Sequence, residues 1–144
     1  MRLLLVDDEK EFVETLAERL RVRGFHVTEA FNGEAAIEKV KSYNFDVAIV
    51  DVQMPGISGI DALKIIKDLK PLTEVVMLTG HATIETAIEG MKLGAFDFLL
   101  KPCKIESLLE KINNAHNRKT EHEERIQNAM VKKLSTSPMS VFET

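Results

Sequence analysis

The run Val47-Ala48-Ile49-Val50 stops on Asp51, and the same shape, apolar residues closed by carboxylates, opens the chain as Leu3-Leu4-Leu5-Val6-Asp7-Asp8. A strand that is apolar at every position rather than every second one is covered on both faces, as in parallel sheets buried between helix layers. Three further runs, Phe25 to Ala30, Val75 to Leu78 and Phe96 to Leu100, bring the number to five; the Phe25 run is more mixed and suits an edge. Between the runs, apolar residues recur at helical spacing: Phe12, Val13, Leu16 and Leu20; Ala36, Ile37 and Val40; Ile60, Leu63, Ile66 and Leu69; Ile84, Ala87, Ile88 and Met91. A fifth pattern begins at Ile105, Leu108, Leu109 and Ile112. Gly24, Asn32-Gly33 and Gly94 fall where helices should end or begin. Strict strand-helix alternation with short connections requires right-handed crossovers, which predicts a doubly wound α/β domain around a five-stranded parallel sheet.

Composition bounds the remaining choices. The 144 residues are 44% hydrophobic and 29% charged, a globular balance, and no second domain of ordinary size is expected in that length. A net charge of −4 with the signs interspersed offers no basic face, so direct binding to nucleic acid is not expected. The lone Cys103 has no partner for an internal disulfide and reads as a small packed residue. The N-terminus meets Asp7 and Asp8 before a signal-peptide core can form, and no apolar stretch approaches the ~18 residues of a membrane span, so the expected compartment is the cytoplasm.

Past Ala115 the character changes. Residues 1–115 form the domain, and residues 116–134 read as a charged helical extension of the fifth helix, with no apolar residue between Ala115 and Ile126 and with Glu121 placed to pair with Arg125. Ile126, Met130 and Leu134 then fall at i, i+4 and i+8, a weak stripe suited to a partner. Residues 135–144 are expected to be disordered.

In an open α/β sheet the functional crevice lies beyond the carboxyl ends of the strands. There the chain places Asp7, Asp8 and Glu9 after the first run, Asp51 after the third, Thr79 after the fourth and Lys101 after the fifth. Singly, these are bland: an Asp after a strand is usually a helix cap, and a lysine there a solvated cation. Jointly they form an acidic pocket whose carboxylates repel unless a hard dication with oxygen ligands offsets them, which points to Mg²⁺ or Mn²⁺. A carboxylate can also attack phosphorus and hold the phosphoryl group covalently, so Asp51 is the candidate acceptor, with Lys101 and Thr79 placed to neutralise and hydrogen-bond its oxygens. A phosphatase of the haloacid-dehalogenase type would need an acid two residues after the nucleophile, where this chain has Gln53. A nucleotide-binding domain would need a glycine-rich first turn, where Asp7-Asp8-Glu9-Lys10 stands.

With these residues in place, the chain resembles the CheY-like receiver domain of two-component response regulators. The likeness rests on Asp7-Asp8, on Asp51-Val52-Gln53-Met54-Pro55-Gly56 with Gly59 following, on Thr79-Gly80 and on Lys101-Pro102. It implies the flavodoxin-like strand order 2-1-3-4-5, to which the tail composition adds an extended C-terminal helix, and a signalling domain rather than an enzyme. It implies that Asp51 receives a phosphoryl group from a sensor histidine kinase or phosphotransfer protein, with the metal on Asp8, Asp51 and the backbone carbonyl of Gln53, and on Asp7 directly or through water. A cis peptide at Lys101-Pro102 is implied as well. Phe98 falls at the family's aromatic switch position, where Tyr is common, and would move in concert with Thr79. Gln53 and His81 fall where phosphoryl lifetime is tuned. The implied output is an unidentified protein partner on the fourth helix and fifth strand; the tail stripe of Ile126, Met130 and Leu134 adds a phosphorylation-dependent homodimer as a separate expectation.

Overall fold

The computed structural model describes residues 1–136, and strand and helix alternate throughout: β1 (Arg2–Val6), α1 (Lys10–Val22), β2 (His26–Ala30), α2 (Gly33–Ser42), β3 (Val47–Val50), α3 (Gly59–Leu69), β4 (Glu74–Thr79), α4 (Ile84–Lys92), β5 (Asp97–Leu100) and α5 (Ile105–Thr136). All strand pairs are parallel and the order is β2-β1-β3-β4-β5, which is the expected flavodoxin-like arrangement. The mixed run is the edge strand β2.

Alternation along each strand sorts the core into two layers. Leu3, Leu5, Val47, Ile49, Val76 and Leu78 face α1 and α5, meeting Val13, Leu16 and Leu20 on one helix and Ile105, Leu108 and Ile112 on the other. Leu4, Val6, Ala48, Val50, Val75 and Met77 face α2 and α3, meeting Val40, Leu63 and Ile66. Local signals agree with the packing. The side chains of Asn32 and Ser58 accept from Ala35 N–H and Asp61 N–H at the starts of α2 and α3, and Thr83 forms a capping box with Thr86 before α4.

The tail departs from the expected boundary. α5 runs unbroken to Thr136, so Ser135 and Thr136 belong to the helix, while residues 137–144 of the expected disordered tail lie outside the described residues. The ion pair that forms along this helix is Lys119 with Glu123 at 3.3 Å; Glu121 and Arg125 form none among the described residues.

Below the sheet, at the amino ends of the strands, Glu74 is completely buried, a feature unsuspected from the strand pattern. Its oxygens stand 3.6 Å from Lys67 Nζ on α3 and 3.5 Å from Arg118 Nε on α5, distances of ion pairing rather than hydrogen bonding. Lys67 donates instead to the carbonyls of Pro71 and Thr73, at 2.7 Å and 3.0 Å. Burial lowers the pKa of Lys67, an effect the neighbouring Glu74 carboxylate offsets only in part. Beside it Asp46 accepts from Arg2 N–H at 2.7 Å and pairs with Lys119 at 3.2 Å, so α5 beyond Ala115 is held to the domain through charge. A buried ion that loses a partner is left uncompensated. Lys67→Met, which keeps the apolar stem, is therefore expected to cost about 2 to 3 kcal/mol in urea unfolding. The double variant Lys67→Met/Glu74→Leu should recover most of that loss; equal stabilities for the parent and Lys67→Met would show that Glu74 does not depend on this partner.

Candidate functional site

Register brings the expected residues together. Asp7 follows β1, Asp51 follows β3, Thr79 ends β4 and Lys101 follows β5, all at the carboxyl edge of adjacent strands. Backbone bonds continue past the strand ends and fix them: Asp51 N–H to Val6 O at 3.0 Å, Asp7 N–H to Ala30 O at 3.2 Å, and Lys101 N–H to Thr79 O at 2.9 Å. Asp7 and Asp51 are 2% and 3% exposed, Thr79 is fully buried, and Asp8 is open to solvent. Carboxylate oxygens from Asp7, Asp8 and Asp51 all lie within 4.8 Å of one another.

Lys101 spans this cluster. Its ammonium donates to Asp7 Oδ2 at 2.5 Å and to Glu9 Oε1 at 3.0 Å, stands 3.7 Å from Asp51 Oδ2, and lies 4.2 Å from the centre of the Phe12 ring. Burial alone would lower the lysine's pKa, but hydrogen bonds to Asp7 and Glu9 and the Asp51 charge outweigh it and raise the value. Asp7 shifts upward because burial outweighs its bonds from Lys101 and from Glu9 N–H, and the Asp51 charge adds to the rise. Glu9 is thus a site residue that sequence reasoning left unassigned; its position next to Asp7-Asp8 was the available signal. Asp51 Oδ1 is buried with no hydrogen-bond partner among the described residues. An orphaned carboxylate oxygen beside two further acids is a donor set that fits a hard dication.

The remaining expected residues divide. The peptide between Lys101 and Pro102 is cis. Gln53 and His81 line a cleft of about 830 Å³ together with Asp8 and Asp51, and Thr86 and Glu89 of α4 close its far side. His81 N–H donates to Thr79 Oγ1 at 3.1 Å, so the His81 backbone touches the site through Thr79. Phe98 is half-buried and packs against the α2–α3 layer, level with Met77 on β4. Cys103 lies outside this cleft, and burial raises its thiol pKa, consistent with a packed residue.

Comparison with known proteins shows the family and the fold. Residues 3–113 match the family model of the response regulator receiver domain, and the chain belongs to that family. The transcriptional regulatory protein ZraR of Salmonella typhimurium is 37% identical over 120 residues, which cover 82% of this chain but 27% of ZraR. The chain thus spans about a quarter of that relative's length. A CheY-like response regulator receiver domain from Methanospirillum hungatei superposes with a TM-score of 0.82 at 26% identity, covering 84% of this chain and 97% of its own. A response regulator from Burkholderia pseudomallei, solved with a phosphorylated aspartic acid, calcium ion and citrate, gives a TM-score of 0.75 at 34% identity, covering 88% of this chain and 74% of its own. Because ZraR is named as a transcriptional regulator, the comparisons lend no support to the expectation that DNA contact is absent.

The backbone around Asp51 leaves one position no freedom. A Cβ at Gly59 would stand 1.8 Å from the carbonyl oxygen of Asp51 and 2.7 Å from Val52 Cα, while Gly59 N–H donates to Val52 O at 2.8 Å. Backbone cannot yield there as a flexible side chain would. Gly59→Ala is expected to lower stability by about 2 kcal/mol or more in thermal unfolding; an unchanged melting temperature would contradict the close approach.

Proposed function

We propose that this receiver accepts a phosphoryl group on Asp51 and converts it into a change of surface at α4 and β5. The observation that carries the reading is the state of Asp51: one buried oxygen has no hydrogen-bond partner among the described residues, and the other lies 3.7 Å from the Lys101 ammonium. In the transfer, an Asp51 oxygen forms the new P–O bond as the P–N bond to a donor histidine breaks, and the leaving imidazole keeps the electron pair. Asp7, Asp8, Asp51 and the Gln53 carbonyl would hold Mg²⁺ or Mn²⁺, which when bound supplies positive charge to the phosphoryl oxygens and relieves repulsion among the carboxylates. Lys101 neutralises a second oxygen, and Thr79 donates its hydroxyl to a third. The phosphorylated aspartate of the Burkholderia relative supports the assignment.

The remaining roles follow from placement. Phe98 is the switch residue, moving with Thr79; lacking a hydroxyl, it signals through packing alone. Gln53 and the backbone of His81 flank the acceptor and tune how readily water reaches it. Turning such a switch from nearly all inactive to nearly all active takes roughly 5.5 kcal/mol of differential stabilisation, within reach of several charge-assisted bonds. The donor is a histidine kinase or phosphotransfer protein in the cytoplasm, and the domain catalyses only its own phosphoryl transfer and loss. No helix among the described residues is long and apolar enough to cross a membrane.

Mass spectrometry after incubation with acetyl phosphate tests the centre of this reading. The parent with Mg²⁺ should gain one phosphoryl mass, and Asp51→Asn or omission of metal should abolish it. An adduct of equal size in Asp51→Asn overturns the assignment.

A homodimer seam on the tail is the second reading, favoured by the exposure of Ile126, Met130 and Leu134 along one stretch of α5. Truncation after Ala115 should then abolish any dimer that acetyl phosphate induces in analytical ultracentrifugation. A dimer that survives truncation removes the seam from the tail.

A further inference from the structure

α4 gives the interior of the protein one residue, Gly90. The other residues of the helix are half-buried or exposed, with Ile84, Ile88 and Met91 facing solvent. The place of the missing side chain is already taken. A Cβ at Gly90 would lie 2.7 Å from Cζ and 2.8 Å from Cε2 of Phe98, and 3.5 Å from Cδ1 of Ile60 on α3. Carbon atoms in ordinary contact sit about 3.5 to 4.0 Å apart. The edge of the Phe98 ring therefore rests against the bare backbone of the helix, in a gap that alanine would close. Glycine inside a helix is unfavourable relative to alanine, so its presence at the helix's one buried position needs a packing reason, and the ring supplies it. The carbonyl of the same residue accepts from Ala95 N–H at 2.9 Å, tying the last turn of α4 to the segment that leads into β5 and Phe98.

We propose that Gly90 is a positioning residue for Phe98: it is the socket that admits the ring beneath α4, so that the inward ring and the docked helix form one packed state. With the ring in the socket, α4 is seated through its only buried residue. When the ring leaves, the helix loses that contact and is free to shift against α3. A side chain at position 90 excludes the inward ring without touching Asp51, Thr79 or Lys101. This inference rests on the switch role given to Phe98 above and adds the residue that sets its resting position.

A double-mutant cycle on the full chain tests the socket by a change of sign. Gly90→Ala should lower the melting temperature in the presence of Phe98. In the Phe98→Leu background, where Cε2 and Cζ are gone, the same substitution should raise it, because alanine is the better helix residue. An equal rise in both backgrounds overturns the proposal.

Ring position is read separately from the NMR signals of ¹³C-labelled phenylalanine, with Phe98 assigned by its loss in Phe98→Leu. In unphosphorylated Gly90→Ala, the Phe98 signals should move toward the position they take in the parent after acetyl phosphate and Mg²⁺. Signals that stay at the resting parent position overturn the proposal. Asp51→Asn separates the two claims: acetyl phosphate should leave its Phe98 signals unmoved, while adding Gly90→Ala should still move them. If the parent's Phe98 signals ignore acetyl phosphate although the cycle changes sign, the socket stands and the switch role assigned to Phe98 falls.

Discussion

The contact on which the molecule depends is the one between the Lys101 ammonium and the carboxylates of β1 and β3. Asp7 and Asp51 are buried at the same edge of the sheet, and two buried charges of one sign are costly unless a cation stands between them. Lys101 reaches Asp7, Glu9 and Asp51 from the far strand β5, so it bridges three of the five strands at their carboxyl ends. The lysine neutralises part of the acid but leaves Asp51 Oδ1 without a hydrogen-bond partner among the described residues. A site folded in this condition is stable enough to exist and still favours more positive charge.

Much of this was legible in the sequence because the relevant residues sit at strand ends, and strand ends follow directly from apolar runs. Val47 to Val50 and Leu3 to Val6 are covered on both faces, so their closing aspartates had to meet at one edge once the sheet was parallel. Glu74 was invisible for the opposite reason. A glutamate ahead of an apolar run reads as a solvated strand start, and its burial is decided by Lys67 and Arg118, which other elements carry to it. Gly90 escaped notice in the same way, since a glycine near a helix end reads as punctuation until the neighbouring ring is in view. The continuous α5 was foreshadowed by its polar, helix-favouring composition, but its attachment through Arg118 and Lys119 depends on acids in β4 and next to β3.

The helices are not held alike. α1, α2 and α3 each bury an apolar stripe, whereas α4 buries one residue without a side chain and turns its larger apolar groups outward. Hydrophobic stabilisation scales with the apolar area removed from water, so the energy that seats α4 is the smallest of the set. The sparse burial of α4 makes it the helix expected to open locally before the two core layers do.

α5 also fixes distances. Its 32 residues extend about 48 Å at 1.5 Å per residue, from the turn carrying the Lys101-Pro102 peptide down past the clasp at Glu74 and beyond. Arg118 sets the angular phase of everything after it, because a helix advances about 100° per residue. One residue added between Arg118 and Ile126 would swing the Ile126, Met130 and Leu134 side chains by about 100° around the axis. Four added residues would bring them back to within about 40° of their present bearing, some 6 Å further from the domain.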